Sequence, residues 1–221
     1  ISPEMLTQNA CWKHHVVTKR EDIQIVLADG RTINSDKVRG VLNRLVSVPL
    51  EWMSSAHPSD GDYTAQELTA FFISWLHALP YPVVNRATPQ GLSGQWRHIS
   101  EWIWLAAQAG LPTPLYQQSS HDASYQFDGQ TSLIIPGAEV RTILVVANQI
   151  AGASVPLELL SGCQRLASLA RTELLGIDFA IAPEGRWTFV GATPLPDLRL
   201  GGEALLDVLV SVFTSKQEVN S

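Results

Sequence analysis

Arg141-Thr142-Ile143-Leu144-Val145-Val146-Ala147, Leu175-Gly176-Ile177-Asp178-Phe179 and Trp187-Thr188-Phe189-Val190-Gly191-Ala192-Thr193-Pro194 decide how this chain is read. The first is an apolar strand entered through Glu139-Val140-Arg141. It pairs as a hairpin with Ile150–Ser154 through Asn148-Gln149. Leu157, Leu160, Cys163, Leu166, Ala167, Ala170 and Leu174 then recur at helical spacing, which predicts a helix opened by Pro156 and closed by Gly176. Beyond Asp178, Pro183-Glu184-Gly185 turns the chain into the third stretch. Strands interleaved with a long helix place the chain in the α/β (α+β) class.

Upstream, Trp96, Ile99, Trp102, Ile103 and Ala106 form one stripe of a helix from about Gln95 to Ala109. Gly110 supplies its left-handed terminal residue, and Pro112 forbids continuation. Thr64-Ala65-Gln66-Glu67 has the form of a capping box. Leu68, Phe71, Phe72, Trp75, Leu76 and Leu79 follow at helical spacing until Pro80 stops the run. His57-Pro58-Ser59-Asp60-Gly61-Asp62 reads as a loop by composition. Ile23–Leu27 alternates and ends at the hairpin turn Asp29-Gly30. Ser35 or Asp36 is placed to cap a short helix running to Leu45. Leu205, Leu206, Leu209, Val212 and Phe213 form a last amphipathic helix after Gly201-Gly202.

The order of these pieces resembles the carboxy-terminal lobe of the ATP-grasp ligases, the superfamily of glutathione synthetase and D-alanine ligase. The resemblance covers roughly residues 80–213. Val84-Asn85-Arg86 with Gly91-Leu92 is similar to the family's entry into that lobe, and Gly110-Leu111-Pro112-Thr113-Pro114 to its step into a strand. The resemblance implies a pre-ATP-grasp-like amino-terminal region over residues 1–84 and a truncated ATP-grasp-like domain over residues 85–221. It also implies that Arg141, on the first strand, meets a phosphate, and that Asp178 holds magnesium. The family completes its metal site with a Glu-x-Asn ahead of a proline. Here Gly191 stands at the Glu position and Thr193 at the Asn position. Magnesium needs hard oxygen ligands in near-octahedral geometry. Glycine offers none, and threonine offers one neutral hydroxyl. The family's phosphate-covering lobe is reduced to Leu115–Ala138, a stretch with no Lys or Arg and only two isolated glycines, Gly129 and Gly137. Such a loop does not neutralise a triphosphate.

Composition sets outer bounds. The 221 residues suffice for one large domain or two small ones. With 45% hydrophobic and 16% charged residues, the chain can bury a core and keep apolar surface for a partner. A net charge of −6 with no basic patch argues against nucleic-acid binding. No run is long and apolar enough to span a membrane, and from Ile1 onward no basic-then-apolar signal pattern occurs. Cys11 and Cys163 therefore read as free thiols of a cytoplasmic, bacterial-type protein. The histidines lack metal-ligand spacing and read as surface or capping residues. Ser119-Ser120-His121-Asp122 is a polar loop, and triad members meet in space rather than in sequence. Helical periodicity makes two of Trp96, Trp102 and Trp104 core residues first and stacking platforms only secondarily.

These readings favour a non-catalytic ATP-grasp-like protein with a binding or assembly role. It would have no catalytic residue and no required cofactor, and its partners would be a protein or a second copy of itself as a homodimer. The alternative is an ATP-dependent carboxylate–amine ligase with a rearranged site, using ATP and magnesium. A third reading sets the resemblance aside and leaves an α/β domain that binds a small molecule. Arg141 and Asp178 carry either a vestigial site or a structural ion pair with each other.

Overall fold

Alternation at Ile23, Ile25 and Leu27 buries every second side chain, and the computed structural model forms the expected hairpin there. It describes residues 1–8, 11–17, 20–50, 57–116 and 137–214. These fall into two compact units, one formed by Ile1–Trp96 and joined by Phe213 and Thr214, the other by Arg97–Val212.

In the first unit, β1 (Cys11–Val17), β2 (Arg20–Val26) and β3 (Thr32–Asn34) form an antiparallel sheet in that order. The turn between β2 and β3 places Gly30 at φ +84°. The Asp29 carboxylate accepts from the Arg31 amide at 3.0 Å and from its Nε at 2.7 Å. Helix α1 (Pro3–Thr7) precedes the sheet. The helix expected from Ser35 to Leu45 does not form. Only a 3₁₀ turn, Ser35–Lys37, is present, pinned by the Ser35 hydroxyl donating to the Ile23 carbonyl at 3.1 Å. Val41–Leu42 then extends as β4 and pairs in parallel with β5 (Val83–Val84). That pairing is long-range, and it overrides the local helical pattern.

Helix α2 runs Pro58–Ala78 with His57 as its N-cap, seven residues ahead of the Thr64 cap that the capping box predicts. The stretch read as a loop is its first turn. The His57 ring nitrogen accepts from the Ser59 amide, Pro58 occupies the first turn, and Asp60 complements the dipole. Phe71, Phe72, Trp75 and Leu76 pack against Ile23, Ile25 and Leu27 in one core. The residues just past position 84 are tied into this unit, since Asn43 Nδ2 donates to the carbonyls of Asn85 at 2.7 Å and Leu92 at 2.6 Å.

The second unit is built on β6 (Glu139–Val146), β7 (Gln149–Ala151), β8 (Leu174–Ile181) and β9 (Trp187–Thr193), in the antiparallel order β7-β6-β8-β9. Ala147 and Asn148, both at positive φ, make the β6–β7 turn. Helices α3 (Ile99–Gln108) and α4 (Leu157–Ala170) cover one face of the sheet. Trp102, Ile103, Cys163 and Leu166 pack there on Ile143, Val145, Ile177 and Phe179. Each large side chain so buried contributes about 1.5–3 kcal/mol. α3 is shorter than expected and leaves Trp96 outside it, 69% exposed; Trp104 is on the helix but 57% exposed, and Trp102 is the one in the core.

α4 ends at Ala170 with Arg171 left-handed at φ 52°, ahead of the expected stop at Gly176. Gly176 lies within β8. A Cβ there would stand 2.7 Å from the Pro196 side chain, so this glycine permits a close approach rather than ending a helix. The last helix, α5 (Gly202–Thr214), begins three residues before the expected stripe. No helix among the described residues is long and apolar enough to cross a membrane.

Candidate functional site

The register of the second unit's sheet brings three of the sequence-marked strands into one row. Thr142 pairs with Asp178, and Asp178 pairs with Gly191. Ile177 and Phe179 point into the helix-covered core, so Asp178 between them projects from the opposite face. The Gly191 match depends on a β-bulge. Phe189 faces Phe179 and Gly191 faces Asp178, which leaves Val190 as the extra residue. Without the bulge Val190 would oppose the carboxylate.

Asp178 is half-buried, and the Thr142 hydroxyl donates to its Oδ1 at 2.6 Å. A Cβ built at Gly191 would meet only Asp178 Oδ2, at 3.9 Å, so the position beside the carboxylate is open. Thr193 sits one row on, opposite Gly176. Its hydroxyl oxygen accepts from the Leu195 amide at 3.1 Å and shapes the turn past Pro194.

Arg141 is not part of this row. It pairs with Phe179, one residue from the Thr142–Asp178 pair, and therefore projects from the other face. Its guanidinium bonds Glu139 at 2.9 Å and lies 5.5 Å from the centre of the Trp187 ring. Trp187 in turn meets Phe179 edge-on at 5.5 Å. The ion pair considered between Arg141 and Asp178 does not form, because consecutive strand residues face opposite ways.

The resemblance implies magnesium and a nucleotide phosphate, and the donor set among the described residues does not fit them. One carboxylate already engaged by a hydroxyl, a glycine and an occupied threonine oxygen give too few hard ligands for a cation that bridges phosphates. Among the described residues no three His, Cys, Asp or Glu converge as a metal site. The Lys/Arg-free stretch from Leu115 to Ala138, with Ser119-Ser120-His121-Asp122, lies mostly outside the described residues.

The other sequence candidates have structural employment. His57 and His98 cap α2 and α3 by accepting from the amides of Ser59 and Ser100, each at 3.3 Å. His77 Nε2 lies 3.0 Å from the Ala87 carbonyl oxygen. Cys163 is fully buried, and burial pushes its thiol up to about 12; Cys11 is exposed, and both are free. Thr142, the partner of Asp178, escaped the sequence reading, since only the β6–β8 register singles it out.

No protein-family model matches the chain, and no curated protein matches it. Solved structures do, and the fold they define is that of the ATP-grasp ligases. Similar structures include the macrocyclase MdnC of Microcystis aeruginosa MRC, bound with its precursor peptide MdnA, at a TM-score of 0.71 and 12% identity over 98% of this chain and 90% of that one. The Chryseobacterium gregarium RiPP-associated ATP-grasp ligase, in complex with ADP and a leader and core peptide, matches at 0.68 and 10% identity over 97% and 87%. The macrocyclase MdnB, also of Microcystis aeruginosa MRC, matches at 0.59 and 19% identity over 96% and 83%. The mixed α/β class and the ATP-grasp resemblance implied by Asp178 through Pro194 therefore hold at the level of fold.

Proposed function

We propose that the protein is a non-catalytic ATP-grasp-like protein whose role is to bind a peptide segment of another chain. The observation that carries the first half is the row Thr142–Asp178–Gly191. Its single carboxylate accepts from a hydroxyl at Oδ1, and the facing position offers no second ligand. The peptide half rests on likeness to MdnC, described with its precursor peptide, and to the Chryseobacterium gregarium ligase, described with leader and core peptides. Free Cys11 and Cys163 suit a reducing, cytoplasmic setting.

An assembly role belongs to the same reading. Trp96 and Trp104, and Leu206 and Val210 on α5, are exposed apolar side chains in a chain poor in charge. A two-fold homodimer is the simplest cover for such surface. Sedimentation velocity at micromolar concentration should show a species at twice the 24.2 kDa monomer mass; a single monomeric species removes the dimer from the reading.

The ligase reading is favoured by one feature, the open space between Gly191 and the retained Asp178 carboxylate. On that reading bound molecules would have to supply the oxygens that the strand lacks. Incubation with Mg-ATP, a pool of short peptides and hydroxylamine separates the two. A ligase would yield peptide hydroxamate and ADP in equal amounts, whereas the binding protein yields neither.

A further inference from the structure

The first unit contains a feature that the reading of the second does not use. We propose that it holds a binding site for an organic carboxylate with an apolar body, in a cavity walled by Arg44 and Trp75. The cavity has a volume of about 460 Å³ and lies among α1, β3, the β4 segment and α2. That is within the range of small-molecule sites, roughly 300–1,000 Å³. Most of its wall is apolar, with Leu6, Ile33, Val38 and Leu45 contributing.

Two of its wall residues carry buried donors without acceptors. Arg44 Nη1 and Trp75 Nε1 are both shielded from solvent and have no hydrogen-bond partner among the described residues. Trp75 is 6% exposed, so its indole N–H cannot simply turn to bulk water. A buried unpaired donor is destabilising, and a charged one more so. Both residues line the cavity, so a small turn of either side chain would offer its donor to an acceptor bound there.

The wall offers no internal remedy. Among the described residues it contains no Asp or Glu. Its one uncharged polar side chain besides Trp75, Asn43, is committed to the backbone. Asn43 donates to the carbonyls of Asn85 and Leu92 and accepts from the Leu45 amide at 3.2 Å. These bonds fix residues on either side of Arg44, and so make Asn43 a positioning residue. Arg39 also lines the cavity and is exposed. Its Nη1 donates to the Tyr81 hydroxyl, and its guanidinium lies over the Tyr81 ring at 5.2 Å.

The wall thus has two cations, one N–H donor and no anion, set in apolar surroundings. Half-buried Arg44 against an apolar wall suits a monoanion better than a phosphate dianion. A carboxylate accepts from a guanidinium and a neutral N–H together. A free aliphatic acid and the carboxy-terminal residue of a peptide share that chemistry.

The test is isothermal titration of the full chain with sodium octanoate, octanamide, and a short leucine-ended peptide as free acid and as amide. Saturable binding of at least one acid is expected, with its amide at least about tenfold weaker. Octanoate tighter than the peptide acid assigns the site to a small acid; the reverse assigns it to a chain end. Arg44→Met should lose acid binding at least about tenfold and, without ligand, melt at or above the wild-type temperature, because it removes a buried donor that lacks an acceptor. Trp75→Phe should weaken acid binding and keep the acid-over-amide preference. Equal affinity for acid and amide, undiminished acid binding by Arg44→Met, or no binding of either acid to the folded protein overturns the proposal. Should Arg44→Met fail to fold, the acid-to-amide comparison on the wild type decides alone.

Discussion

Gly191→Glu would place a second carboxylate beside Asp178, and its consequence can be worked from the geometry. A Cβ at position 191 would meet only Asp178 Oδ2, at 3.9 Å, so the side chain starts from an unobstructed position. Two carboxylates about 5 Å apart repel by about 3 kcal/mol at an effective dielectric near 20. Half-exposure and ordinary salt reduce that to about 1 kcal/mol. Removing a glycine from a strand interior returns about 0.5–1 kcal/mol. Without a divalent cation the variant should therefore melt within about 3 °C of the wild type. Magnesium changes the balance only in the variant. If the resulting pair binds it at about 1 mM, then about 10 mM magnesium stabilises by roughly 1.4 kcal/mol, or about 3–6 °C. Differential scanning fluorimetry of both proteins, with and without magnesium, reads this directly. A wild type that gains as much as the variant would refute the reasoning, because Asp178 would then already belong to a working metal site.

Asp178→Ala should lower the melting temperature by the same amount with or without magnesium. It deletes the acceptor of the 2.6 Å Thr142 bond, worth about 1–2 kcal/mol at a half-buried site, and leaves no cation stranded. Thr142→Val should cost a similar amount, with the double variant less destabilised than the sum. Cys163 gives a pH signature. Its thiol is raised from 9.0 to about 12 in the folded chain, so the unfolded chain deprotonates first. Stability conferred below about pH 9 should then fall as the pH rises towards 12, by at most about 1.4 kcal/mol per unit. A thiol reagent should accordingly modify Cys11 alone in the native protein and both cysteines after unfolding; two native thiols would contradict the burial.

The second unit was the more legible in sequence because its signals are local. The apolar run after Arg141, the stripe from Leu157 to Ala170 and the Pro183–Gly185 turn each specify an element without help from distant residues. The first unit is governed by long-range pairing. Val41–Leu42 follows a helical pattern by spacing yet extends, because Val83–Val84 accepts it as a strand partner some forty positions on. The start of α2 hid behind loop-like composition, since proline and aspartate serve helix first turns as well as turns.

At the candidate site, pattern singled out Asp178 and Gly191, but their mutual placement depends on a bulge at Val190 that no residue announces. Arg141 and Asp178 looked like companions because both match the same family outline. The β6–β8 register, which sequence spacing does not fix, sends them to opposite faces. Arg44 and Trp75 could not have been paired at all. Their donors become orphans only once α2 has packed beside the β4 segment.

The reading of the second unit stands or falls on nucleotide affinity. Isothermal titration of the wild-type chain with Mg-ATP should give no saturable heat below about 1 mM, since the Asp178 row offers magnesium one engaged carboxylate. A dissociation constant at or below about 10 µM, on the order of −7 kcal/mol, would contradict it and return the protein to the active ligases.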